Sequence, residues 1–279
     1  MSARVPFSPG RCVAIAELTL LEAIRQRLFS VLLVLSAGMI AGALFLREFN
    51  FGSSELKFIA DFGFGAITLF GTVLAVVATA QLFFSEIENR TALTLLAKPV
   101  WRTEFVLGKF LGIAFVLLAF TAVTTGVLVA VLWMRESALM ERAPEAFAEG
   151  RLVRYGSVAG FAVLQWLRFS LVAAITLVIA GFANSNLYSV ILSFLVVLIC
   201  HLQYLAHDSW RRLGMGLARV GAMLVALVFP NFQMFNVGDR IAAGRSLELD
   251  VFGGSAGYAA LYLAVFLGLA VFVFRRREI

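Results

Sequence analysis

From Phe62 to Phe84 the chain carries no charged side chain, and Gln81 is its only strongly polar one. A helix crosses a hydrocarbon core of roughly 30 Å with about 20 mostly apolar residues, because each residue rises about 1.5 Å. Five other stretches have this character. Val31 to Leu46 has no charge, and Phe105 to Met134 has only Lys109. Val158 to Ala183 holds Gln165 and Arg168, and Leu187 to Leu205 holds His201 and Gln203. Tyr258 to Phe274 ends at Arg275-Arg276-Arg277. The sequence is 61% hydrophobic and 14% charged, against roughly 45–50% and about 25% in soluble domains. Water is thereby excluded as the main solvent. Disorder is excluded by 27 Phe, and a disulfide scaffold by a cysteine inventory of Cys12 and Cys200. The net charge of +6 fits cationic loops at an anionic leaflet better than nucleic-acid binding.

The pattern predicts an all-α integral membrane protein, a single domain over residues 1–279. Its six spans fall at about 30–47, 62–84, 105–134, 158–183, 187–206 and 255–275. Residues 214–229 are short, interrupted by Arg219 and ended by Pro230, which suits a partly inserted helix between spans five and six. Residues 12–28 predict a helix along the membrane surface. Val13, Leu20, Leu21, Ile24 and Leu28 share one arc, with Thr19, Glu22 and Gln26 opposite. Some 28 residues precede the first apolar run, and that run is long enough to span, so a cleavable signal peptide is not expected. Six spans put both termini and the Ser85–Glu104 linker on one side. The density of Lys and Arg there marks that side as cytoplasmic.

Ser85 to Lys109 reads SEIENRTALTLLAKPVWRTEFVLGK. Ser85 and Glu88 have the spacing of a capping box. Glu86 and Glu88 complement the positive end of a helix dipole, and Lys98 the negative end. Pro99 stops the helix. The expectation is a short exposed helix from Glu86 to Ala97, placed to dock on a soluble partner.

This linker resembles the signature of type-2 ABC exporter permeases, and within them the branch of the nitrous-oxide-reductase maturation permease. The matching positions are Ser85, Glu86, Glu88, Thr91, Leu95, Leu96, Pro99, Arg102, Phe105, Gly108 and Lys109, with Arg90 where that family usually has Gly. Glu22, Arg25 and Arg27 resemble its N-terminal helix, and Phe229-Pro230-Asn231-Phe232 its stretch before the last span. The resemblance implies a permease that pairs with a second copy, as homodimer or heterodimer, and with two cytoplasmic ABC ATPase subunits in a prokaryotic inner membrane. It makes the linker a coupling helix, with Glu86, Glu88, Arg90, Thr91, Leu95, Pro99 and Arg102 as the ATPase-contacting residues. ATP and Mg would sit on the partner, and no cofactor on this chain. The residues agree: Gly108-Lys109 is followed by Phe110, and Thr103 stands where a phosphate-binding loop needs its first Gly.

Other features lie outside the linker. Arg168 with Gln165 is an intramembrane charge and so a functional candidate, or a side chain that snorkels to the outer interface. His201 and His207, beside Cys200 and Asp208, straddle an expected helix end without a metal-ligand spacing. Gly38/Gly42, Gly108/Gly112 and Gly253/Gly257 have close-packing spacing. The alternating acids and arginines from Arg135 to Tyr155 suggest a solvated external helix. Besides a permease, the chain could be a non-transporting anchor or assembly factor for an ATPase. A membrane-embedded enzyme is disfavoured, because no HExxH or paired-Asp motif accompanies a span.

Overall fold

The computed structural model describes residues 8–46, 54–88, 101–148, 150–212, 220–221, 223 and 227–276, and the regular elements among them are helical. In chain order they are α1 (Pro9–Arg25), α2 (Arg27–Gly42), α3 (Glu55–Glu88), α4 (Arg102–Arg142), α5 (Tyr155–Phe182), α6 (Asn186–Arg212), α7 (Gly238–Ala242) and α8 (Leu249–Arg276). Single 3-10 turns lie at Pro144–Phe147 and Phe232–Phe235. Five helices among the described residues are long and apolar enough to cross a membrane: α3, α4, α5, α6 over Asn186–Leu205, and α8. The expected first span is shorter. α2 ends at Gly42 because Ala43 to Phe45 turn, so its 16 residues rise only about 24 Å. Most of the predicted 214–229 helix lies outside the described residues.

The packing partners fix the direction of each helix. Phe64 of α3 lies against Phe161 of α5, with ring centroids 4.3 Å apart, and Gly71 lies against Phe169 further along. The two therefore run in parallel. α8 runs with them, since Gly160 meets Leu247 and Phe252 near one end and Gly181 meets Val273 at the other. α4 runs against them, because Gly63 meets Leu128 and Lys109 meets Leu82. The last described turn of α3, the start of α4, the end of α8 and α1 thus share one end, called here the linker end. Glu55, the end of α4, the start of α5 and Gly244 share the other, the loop end.

Apolar on every side, α5 is the central helix, as its sequence requires. It touches α3, α4, α6 and α8. At the linker end Phe83, Phe105 and Phe274 form an aromatic cluster, with Phe105 and Phe274 stacked at 5.3 Å.

α1 packs along the first half of α4 through a stripe of small residues, Cys12, Ala16, Thr19 and Ala23, all buried. Thr19 is on this packed face, not on the polar face expected for it; its hydroxyl donates to the Ile15 carbonyl (2.8 Å), which lets it sit against α4. Val13, Leu21 and Ile24 of the predicted apolar arc point outward. Gly108 and Gly112 make the approach possible. A Cβ on Gly108 would lie 2.7 Å from Ile15 Cβ, and one on Gly112 would lie 2.7 Å from the Ala16 carbonyl oxygen. By contrast, Gly38, Gly42, Gly253 and Gly257 have nothing within 4 Å of that position.

The Arg135–Tyr155 segment is not a solvated helix. α4 continues to Arg142 and the chain then folds back onto it. Arg135 grips both oxygens of Glu55, one at 2.9 Å. Glu136 is fully buried and accepts from the Leu152 and Val153 amides (2.7 and 2.9 Å), the Tyr155 hydroxyl (2.7 Å) and Arg151 Nη1 (3.2 Å).

Candidate functional site

Two places gather the residues singled out by sequence. At the linker end, α3 runs unbroken through Ser85 to Glu88. Ser85 is therefore inside a helix, where its amide is already engaged, and does not cap a new one. Its hydroxyl lies 3.3 Å from Glu22 Oε1 and 3.4 Å from the Leu82 carbonyl. Glu86 and Glu88 form the last described turn of α3, while Arg90, Thr91, Leu95 and Pro99 lie outside the described residues. Arg102 opens α4, and its Nη1 donates to the Arg275 carbonyl at the end of α8 (2.7 Å).

The strongest polar structure here is one that the motif did not single out. Glu104 is fully buried and accepts from the Ser8 amide (2.7 Å) and the Trp101 amide (3.0 Å), with Arg11 Nη2 at 2.9 Å. It thus sits between the N-termini of α1 and α4, where exposed amides and both helix dipoles favour an anion. Lys109, also buried, donates to the Leu82 carbonyl (3.1 Å) and lies 3.8 Å from Glu22. These contacts tie α1, α3 and α4 into one block. Burial and the Glu104 carboxylate push the Cys12 thiol up, so it stays protonated as a packing group.

Midway along the bundle is a cavity of about 460 Å³. α3, α5 and α6 form its walls, with the segment around Asn236–Asp239 closing one side. Arg168, midway along α5, is 3% exposed. α5 begins at Tyr155, more than three turns earlier, so Arg168 is packed within its helix's length rather than at the helix start. Its guanidinium lies 3.4 Å from both Gln165 Oε1 and His201 Nδ1 and 5.2 Å over the Phe232 ring. Its Nε is buried without a hydrogen-bond partner. Gln165 is committed elsewhere, its Nε2 donating to the Phe235 carbonyl (3.1 Å).

The Phe229-Pro230-Asn231-Phe232 stretch builds this wall. Asn231 caps the 3-10 turn through its side chain, which accepts from the Gln233 amide (2.9 Å), and its own amide donates to the Tyr258 hydroxyl (2.7 Å). Ser255 fastens the turn to α8 through the Met234 carbonyl (2.9 Å). His201 and His207 lie on the same helix, α6, rather than on either side of a helix end. His201 faces Arg168 and, edge-on, Phe232. Among the described residues no three His, Cys, Asp or Glu side chains gather as a metal site.

A larger cleft of about 840 Å³ lies at the loop end. Several charges on its wall are engaged within the protein: Glu55 with Arg135, Arg151 with Glu136, and Arg154 with the Gly244 carbonyl. The mid-bundle cavity is thus the better candidate.

A family model described as ABC-2 family transporter protein matches residues 24–200, more than half of the chain. The chain belongs to the ABC-2 transporter family. No curated protein matches it. An ABC-2 chain is the membrane subunit of a transporter, and the family normally works with a cytoplasmic ATPase. The matched region of this ABC-2 permease contains the linker, Asp61 and Arg168, and it stops one residue before His201. The Phe232 turn and Asp239 that complete the cavity are outside it. Glu104 had a legible signal, since an acid three residues after Trp101 has the spacing to reach back to that residue's amide. Asp61, at the boundary of an apolar run, had none.

Proposed function

We propose that this ABC-2 permease is the membrane half of an ATP-driven exporter of the prokaryotic inner membrane. The reading places both termini and the linker in the cytoplasm and counts α2 as a sixth span. It takes two permease copies around the path and two ATPase subunits, which hold ATP and Mg, below it. The observation that carries it is the convergence of the linker's two stems with α1 and α8. Glu86 and Glu88 end the described part of α3, Arg102 starts α4 on the Arg275 carbonyl, and Glu104 and Lys109 fasten α1 to the same block. A push on Glu86, Glu88, Arg90, Thr91, Leu95, Pro99 and Arg102 by a closing ATPase would move this block as a unit. Arg168 and Gln165 then belong to the path inside the membrane.

The test replaces Glu88 and Arg102 together with alanine and measures ATPase stimulation by the reconstituted permease. Stimulation should fall to the level of the ATPase alone while membrane insertion is unchanged. Normal stimulation would refute the coupling role. Substrate flux into vesicles distinguishes transport from a purely anchoring function.

A further inference from the structure

The mid-bundle cavity holds two charges of opposite sign that do not satisfy each other. Arg168 is permanently protonated, yet it has no carboxylate within ion-pair distance among the described residues, and its Nε is unbonded. Asp61 lines the same cavity with Oδ1 buried and equally unbonded. A buried charge left as Arg168 is left is costly, and Asp61, half-buried, keeps its Oδ1 out of water. Phe64 and Phe161 line the stretch between them, and Val73, Phe194 and Val197 continue the apolar wall beyond Arg168. Thr72 is turned to its own helix, donating to the Thr68 carbonyl (2.6 Å).

We infer that the cavity binds an amphoteric chain molecule, its acidic group on Arg168 and its protonated amine at Asp61, with an apolar chain between. Either charge alone would favour a simple anion or a simple cation; together on one apolar wall they favour a ligand carrying both. Asp239 and Asn236, both exposed, mark the mouth towards the loop end, and Asp239 adds a second carboxylate on the amine's side. His201 and the Phe232 ring back Arg168 on the other side.

The parallel packing of α3 and α5 gives the separation. Asp61 lies one turn before Phe64, and Arg168 lies two turns beyond Phe161, which is Phe64's neighbour. That is about 15 Å along the helices, shortened to roughly 10 Å as the arginine leans back towards its N-terminus. The volume of about 460 Å³ lies within the range of small-molecule sites, about 300–1,000 Å³. The inference rests on the permease reading, since it places a ligand in the proposed path.

The experiment measures binding of 5-aminopentanoate, pentanoate and pentylamine to the full-length permease in nanodiscs without ATPase. The amphoteric probe should bind at least tenfold tighter than either single-charge probe. Asp61→Asn should bring it down to the affinity of pentanoate, and Arg168→Gln to that of pentylamine. Equal affinity for the three probes, no binding by any, or an undiminished preference in Asp61→Asn would each overturn the assignment. If Arg168→Gln does not fold, as a melting curve would show, Asp61→Asn decides alone. Failure here leaves the ATPase-coupling reading intact, because no ATPase takes part. A failed coupling test likewise leaves this binding result standing.

Discussion

Glu136 and Arg168 are both buried charges on long apolar helices, and they are treated in opposite ways. Glu136, near the loop end, receives two backbone amides, a phenol and a guanidinium. Glu104, at the linker end, is held just as fully by two amides and Arg11. Arg168, between them, has two partners at 3.4 Å and an aromatic face. The buried acids at the ends close the fold, folding the chain back onto α4 in one case and pinning α1 to it in the other. The mid-bundle charge closes nothing and faces a cavity. Complete satisfaction marks a fastening, and incomplete satisfaction marks a place kept for something else.

The comparison breaks first at Glu136. Glu136→Ala would strand the Leu152 and Val153 amides, the Tyr155 hydroxyl and Arg151 around an empty site. The expected loss is about 2–4 kcal/mol, chiefly from the two amides and the hydroxyl left without an acceptor, since Arg151 is 38% exposed and can turn to water. Thermal unfolding in nanodiscs would show it as a large fall in Tm. Glu136→Gln, whose amide oxygen still accepts, should lose clearly less. A fall in Glu136→Ala no larger than for an exposed substitution would remove the distinction between the ends and the middle.

A smaller effect tests the linker-end block. In Gly112→Ala the new methyl would lie 2.6 Å from Thr19 Cβ and 2.7 Å from the Ala16 carbonyl oxygen. Backbone cannot yield as a side-chain tip can, so α1 must move. Overpacking of this kind costs about 1–3 kcal/mol, and protease cleavage within α1 should accelerate. Gly38→Ala, with nothing within 4 Å, should be neutral or stabilise α2 by roughly 0.5–1 kcal/mol. Equal behaviour of the two variants would mean that α1 is not clamped.

Hydrophobic run length made most of the helices readable, because a bilayer core sets their minimum length. The Gly108/Gly112 spacing pointed to a close approach without naming α1 as the partner. Local patterns failed where a distant contact decides. Ser85 and Glu88 have capping-box spacing, but a cap needs a residue outside the helix, and Phe83 and Phe84 already carry the helix through Ser85. The alternating charges after Arg135 look solvated because nothing local shows that Leu152 and Val153 return to Glu136. Thr19 looks polar until its hydroxyl is spent on its own helix. For Arg168 the apolar run alone left its surroundings open: Tyr155–Leu167 precede it in the same helix and it is buried mid-bundle. Asp61 meets Arg168's cavity only through the packing of α3 on α5, and no spacing encodes that.

The finest test of the comparison is Arg168→Met, which keeps much of the side chain's reach and removes the charge. If Arg168 were a fastening like Glu136, its loss would approach that of Glu136→Ala. Its ties are weaker: the two partners at 3.4 Å are at the limit of hydrogen bonding, and contact with the Phe232 face is worth up to about 2 kcal/mol when desolvated. Against these stands the cost of keeping an unpaired guanidinium out of water, which the substitution relieves; exchange of buried ionic groups for apolar ones of similar volume is often neutral or stabilising. The two sides nearly cancel, so the unfolding free energy should stay within about 1 kcal/mol of wild type. Transport by the reconstituted complex should nonetheless fall at least tenfold. A stable variant that no longer transports would separate the charge from the fold. A variant destabilised as severely as Glu136→Ala would make Arg168 a third structural staple and remove it from the path.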